Sequence, residues 1–184
     1  MKLLENIALT AILSLSITSI AFAGAGHGTN DGSSGGHGSG GVGSAGKTSE
    51  VSRTIDIVMM DNYYEPEIIV IKAGETIRFK VSNNGVSVHE FNIGTSDMHK
   101  AHQEEMLMMA QHGIIQGGKI NRELMKMDMG NGQTMEHNDP NSVLLASGEQ
   151  AEIIWTFPND AELEFACNLP GHYQSGMVGE ININ

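Results

Sequence analysis

The feature that most restricts how this chain can fold is a run near its C-terminus, Cys167-Asn168-Leu169-Pro170-Gly171-His172-Tyr173-Gln174-Ser175-Gly176-Met177. It holds the only cysteine of the chain, and it spells C-x4-H-x4-M. Pro170-Gly171 turns the backbone between the cysteine and the histidine, and Gly176 precedes the methionine. One short loop can therefore aim a thiolate, an imidazole and a thioether at a common metal ion. A second imidazole must come from another strand, and His89, in Val88-His89-Glu90-Phe91-Asn92-Ile93, is the candidate. Two imidazoles, a thiolate and a weak axial thioether are the ligand set of a blue-copper electron-transfer centre. Taken singly, a cysteine is more often a small buried hydrophobe, and a histidine an ordinary surface residue. The conjunction and its spacing carry the copper reading.

The same segment resembles the C-terminal ligand loop of the cupredoxins, the group of plastocyanin, azurin and rusticyanin. The rusticyanin-like form, C-x-x-P-G-H-x-x-x-G-M followed by a Val-Gly strand, is the nearest pattern, and here Val178-Gly179 follows Met177. His89-Glu90-Phe91, after Asn83-Asn84-Gly85, resembles the first ligand position of that family. The resemblance covers residues 52–93 and 142–184. It implies an all-β, Greek-key β-sandwich and one type 1 copper held by His89, Cys167, His172 and Met177.

Periodicity points to the same architecture independently. Arg53 to Met60 alternates loosely as a strand, and Tyr63-Tyr64-Glu65-Pro66-Glu67 reads as a turn, since proline cannot donate to a ladder. Ile68 to Ile71 is a short apolar strand. Thr76 to Val81 alternates, with Ile77, Phe79 and Val81 on one face. Asn83-Asn84-Gly85 is a hairpin signal leading into Val88 to Ile93. Further on, Ser142 to Leu145, Ala151 to Phe157, Leu163 to Cys167 and Val178 to Ile183 read as strands. Many short strands with frequent turns read as a Greek-key sandwich. Asn84 or Asn168 is a candidate for a hydrogen bond near the Cys167 sulfur that tunes the potential, or for a plain turn cap.

Lys2, the apolar stretch Ile7 to Ile20 and Ala21-Phe22-Ala23 make residues 1–23 an export signal with an A-x-A cleavage site. The apolar run is too short for a membrane anchor, so no membrane insertion is expected. Export with one cysteine rules out an intramolecular disulfide framework and leaves a thiol that a metal would protect. The short signal and copper chemistry point to a periplasmic location, with an outer surface as the alternative. Residues 24–50 are Gly/Ser-rich and read as a flexible segment in which His27 and His37 either capture metal weakly or occur by chance. Residues 51–184 then form one cupredoxin domain. A formal charge of −12 excludes a nucleic-acid partner, which requires a basic face. It permits steering of cations or of a basic partner, or serves only solubility.

Residues 95–141 do not read as a strand connection. This insert carries Met98, His99, His102, Met106, Met108, Met109, His112, Met125, Met127, Met129, Met135 and His137. Ser96 or Asp97 can cap a helix running to Gln111 and ended by Gly113. On it Met98, His102 and Met106 share one face, and Met108 and His112 another. Met106 and Met109 read as core packing. Met125-Lys126-Met127-Asp128-Met129-Gly130 is too polar for a core segment, and thioethers beside imidazoles select Cu(I). The insert is thus expected to hold accessory Cu(I). It is also expected to be dispensable to the sandwich, so that its removal leaves the type 1 colour largely intact.

The combination resembles periplasmic cupredoxins of bacterial copper-tolerance systems. It implies copper binding and tolerance with redox activity, including oxidation of Cu(I), with copper ions as ligands and a periplasmic redox protein or multicopper oxidase as partner. The alternative is a plain respiratory electron carrier of the plastocyanin or rusticyanin kind, with the insert as a docking or lid element. A multicopper enzyme is disfavoured, because the chain has no H-x-H pair and only one such domain. A purely adhesive sandwich is the remote reading.

Overall fold

The computed structural model describes residues 41–126 and 139–184. The expected export signal, residues 1–23, and most of the Met-x-Met run lie outside the described residues, with His27, His37, Met127, Met129, Met135 and His137. In chain order the strands are β1 (Ser44–Ala45), β2 (Arg53–Met60), β3 (Tyr63–Glu65), β4 (Ile68–Ile71), β5 (Thr76–Asn83) and β6 (His89–Gly94). Helix α1 (Ser96–Gln111) follows, then β7 (Ile115–Gln116), β8 (Lys119–Ile120), β9 (Ser142–Leu145), β10 (Gln150–Thr156), β11 (Leu163–Ala166) and β12 (Val178–Ile183).

Two five-stranded sheets make the sandwich, one in the order β1-β10-β5-β2-β3 and the other β4-β12-β11-β6-β9. Pairing is antiparallel except for β2 with β5 and β4 with β12. The alternation seen in the sequence is what fills the space between them: Ile77, Phe79 and Val81 from one sheet are buried against Phe91, Ile93 and Phe165 from the other. Phe79 and Phe91 meet across the layers with ring centroids 5.4 Å apart, and Phe91 stacks on Phe165 at 5.3 Å. Gly179 is required here, because a Cβ at that position would overlap the Phe165 ring.

Several local expectations are corrected. Tyr63 to Glu65 pairs with β2 instead of turning, because Tyr64 is buried in the core and its hydroxyl donates to the Glu90 carbonyl at 2.6 Å. Asn83-Asn84-Gly85 is not a hairpin: β5 and β6 belong to different sheets, and the segment crosses between them. The Asn83 side chain makes that crossing, donating to the carbonyls of Ser87 and Leu145 and accepting from Gly85 N–H. Ordered structure also begins before Val51. Ser44–Ala45 pairs with β10, and the Trp155 indole donates to the Val42 carbonyl at 3.0 Å.

Helix α1 lies where the insert was expected to be helical, with Thr95 as its N-cap accepting from Met98 N–H at 3.3 Å and Gly113 leaving it at φ 74°. Met106 and Met109 are core residues as expected. Met125 is too, against the reading of its segment as too polar for a core. No described helix is long and apolar enough to cross a membrane.

Candidate metal centre

Cys167 follows β11 directly, so the sheet fixes where its sulfur stands. The chain then winds back on itself. His172 N–H donates to the Leu169 carbonyl, Met177 N–H to the His172 carbonyl, and Cys167 N–H to the Met177 carbonyl, at 3.0, 3.1 and 3.1 Å. Gly171 and Gly176 take φ of 87° and 92°, a conformation that side chains with a Cβ rarely adopt and that the tight loop needs at both ends of its helical turn. The loop thus closes Cys167 on Met177 and folds His172 over the top, with Met177 fully buried.

His89 opens β6, next to β11 in the same sheet. Of the four residues picked from the sequence, the structure groups the ligand atoms of three: His89, Cys167 and His172 each offer one within 4.8 Å of the others, while Met177 is tied to Cys167 through its backbone carbonyl. The His172 Nδ1 stands 3.3 Å from the Cys167 sulfur, and the two imidazole rings are 5.0 Å apart at their centroids. His89 Nδ1 is buried with no hydrogen-bond partner, although the ring's other nitrogen is satisfied. A buried, orphaned imidazole nitrogen on a ring grouped with a thiol and a second imidazole is what a metal ion would complete. Burial pushes the Cys167 thiol up to about 12, so without a cation beside it the sulfur stays protonated; a soft metal would take the proton's place. Burial, then the neighbouring His89, also pushes His172 below the ordinary imidazole range, which favours the neutral form a ligand must have.

The surroundings hold residues that the sequence pattern did not single out. Asp61, in the turn between β2 and β3, accepts from His89 Nε2 at 3.0 Å and from Val86 and Ser87 N–H. The hydrogen bond from His89, then that from Val86, holds this carboxyl below its usual range. Glu90 is fully buried beside His89. Its backbone N–H points at the Cys167 sulfur at 3.4 Å, while its carboxylate accepts from Asn168 N–H at 3.2 Å and from the Asn168 amide at 2.9 Å. The backbone N–H groups that face the sulfur are therefore those of Glu90 and Leu169, with no donor from Asn84 or Asn168 among the described contacts. Asn168 serves Glu90, and its amide also lies 3.2 Å from His99 Nδ1. The one sequence signal for Glu90 was a charged residue inside an apolar strand. Its face looks solvent-exposed until α1 covers it.

Residues 40–119 match the model of the cupredoxin-like domain family. The chain is similar to the copper-resistant cuproprotein CopI of Pseudomonas aeruginosa, 45% identical over 147 residues that span 77% of this chain and 81% of that protein. It is also similar to the CopI of Rubrivivax gelatinosus, 35% identical over 76% of this chain and 71% of the relative. Among solved structures, a dithionite-reduced auracyanin of Roseiflexus castenholzii superposes with a TM-score of 0.51 at 21% identity, covering 73% of this chain and 98% of the other. Auracyanin B gives 0.52 at 18% identity, over 77% and 96%. These two likenesses bear on the fold.

Proposed function

The chain belongs to the family of copper-resistant cuproproteins on a cupredoxin-like fold, and from that premise we propose that it holds one type 1 copper through His89, Cys167, His172 and Met177 and serves copper tolerance in the periplasm. Family membership and the His-Cys-His group support copper binding itself. The observation that carries the finer reading is that His89, whose buried Nδ1 has no hydrogen-bond partner, groups a ring nitrogen with the Cys167 sulfur and a His172 nitrogen. Copper bound there would supply a one-electron couple between Cu(I) and Cu(II). The protein's part is rigidity: ligands fixed by two packed sheets and a closed loop move little between oxidation states, so the cost of reorganisation stays small. Asp61 orients His89, the Glu90 N–H faces the sulfur, and the buried pocket excludes water.

The redox role, including the oxidation of Cu(I) with the electron passed to a periplasmic redox protein or multicopper oxidase, belongs to this proposal. So does accessory Cu(I) binding by the insert. Among its described thioethers, Met106, Met109 and Met125 are committed to the core, while Met98 and Met108 are 40% and 44% exposed. That commitment favours the second reading in part, a plain electron carrier whose insert packs against the domain. Copper-loaded wild type should show intense thiolate-to-copper absorption in the visible. Cys167→Ala should abolish it, whereas Met177→Leu should keep the colour and raise the potential by removing the axial thioether. A colourless Cu(II) form of the wild type would refute the type 1 assignment.

A further inference from the structure

Glu90 is a carboxylate with no exposed surface, and a buried carboxylate can only accept hydrogen bonds. It needs donors, and the described residues supply them from three places. The β9 residue Ser142 donates through its hydroxyl at 2.7 Å. The loop after Cys167 donates through the Asn168 N–H and side-chain amide. The inserted helix α1 donates through His102 Nε2 at 2.9 Å. Because a carboxylate cannot donate, the ring nitrogen facing Glu90 carries the hydrogen, and the amide nitrogen of Asn168, not its oxygen, faces the same carboxylate. His102 Nδ1 in turn stands 3.2 Å from Glu105. The helix is held down by Met106 and Met109, both buried, and by the fully buried His99, whose Nδ1 faces the Asn168 amide.

Asn168 is the residue after Cys167, and the Glu90 backbone N–H faces the Cys167 sulfur, as does that of Leu169, the residue after Asn168. Glu90 therefore touches the thiolate position twice, through its own backbone and through the neighbour it clamps. We propose that His102 is a positioning residue of the copper centre: by donating to Glu90 it fixes the Cys167-Asn168 turn and the Glu90 N–H that faces the sulfur, making the insert a working part of the centre. This rests on the copper reading of His89, Cys167, His172 and Met177. It reverses the sequence expectation that the insert could be removed without effect on the visible band. Outer partners of metal ligands act in this way, and losing one typically costs about 10–100-fold in metal affinity or activity.

The test compares His102→Leu with His102→Gln in the full-length, copper-loaded protein. Both side chains fill the space, but only glutamine can donate to Glu90. Visible absorption, reduction potential and copper affinity are read for each. The leucine variant should shift the balance of the thiolate-to-copper bands, move the potential and lose about 10-fold or more in affinity, and glutamine should restore wild-type values. Equal behaviour of the two variants, or wild-type values in the leucine variant, would overturn the proposal. If the leucine variant does not fold, Glu90→Gln takes its place, since the amide can no longer accept from every donor around it; an unshifted spectrum and potential there overturn the proposal equally. Failure of the parent reading is distinguishable, because the wild type itself would then lack the visible band.

Discussion

Asp61 stands between His89 and solvent, 41% exposed, and satisfies three donors at once. A ligand imidazole whose far nitrogen donates to a carboxylate is fixed in tautomer and orientation and becomes a stronger donor to the metal. Asp61→Asn keeps an acceptor in place but removes the charge. Copper affinity should fall by about 10-fold and the reduction potential should rise, because Cu(II) gains more than Cu(I) from an anionic neighbour. Competition titration and electrochemistry on the variant check this, and wild-type values in both would rule out the charge as a contributor. Of the residues around the centre, Cys167, His172 and Met177 were legible in the sequence because their spacing is itself the geometry of the loop. Asp61 was not, since it lies 28 residues from the ring it orients and no local pattern joins them.

At the scale of elements, Glu75 ties the turn after β4 to the start of β2. It accepts from Arg53 Nε at 2.9 Å, from the Ser52 hydroxyl at 2.8 Å and from Lys72 N–H at 3.0 Å. The Arg53 guanidinium, ahead of the Lys72 and Ser52 contacts, lowers this carboxyl from 4.5 to about 2. A carboxyl depressed in the folded state stabilises the fold fully above its unfolded value and loses that contribution as pH falls from about 4.5 through about 2. Glu75→Gln should therefore be less stable than wild type at neutral pH, and its stability should decline less steeply across that acid window. Urea unfolding of the metal-free protein at several pH values measures it, and parallel curves would refute the role. The strands were legible because alternation reports a half-buried face. β3 was missed because Pro66 made the whole segment look like a turn, although the buried Tyr64 anchors it.

For the whole molecule, the proposed accessory Cu(I) binding turns on the insert's exposed thioethers. Met98 and Met108 are its described thioethers with large exposure, while His99 and His102 are engaged with Asn168 and Glu90. Replacing Met98 and Met108 with leucine should lower Cu(I) stoichiometry under Cu(I) excess while the type 1 band persists, because thioethers select Cu(I) and neither is among the four residues proposed to hold the type 1 copper. Unchanged stoichiometry by elemental analysis would remove these two methionines from the accessory site. The exported chain should begin at or near Gly24, from the Ala21-Phe22-Ala23 boundary, and mass spectrometry of periplasmic protein reads it directly. An intact N-terminus recovered with membranes would refute export by cleavage.

By itself the sequence determined the Cys167–Met177 loop, the sandwich and the helical part of the insert, because each is written in short-range spacing: four residues between Cys167, His172 and Met177, two along a strand, three to four around a helix turn. Only the tertiary structure decided what the insert does to the centre. Glu90 and Asn92 alternate with core residues and look like a wet strand face, yet both are buried, and His102 reaches Glu90 from α1. Whether a polar face meets water or a covering helix depends on contacts between distant segments. Local pattern does not encode that choice, and burial then turns an ordinary surface glutamate into a clamp that must find its donors.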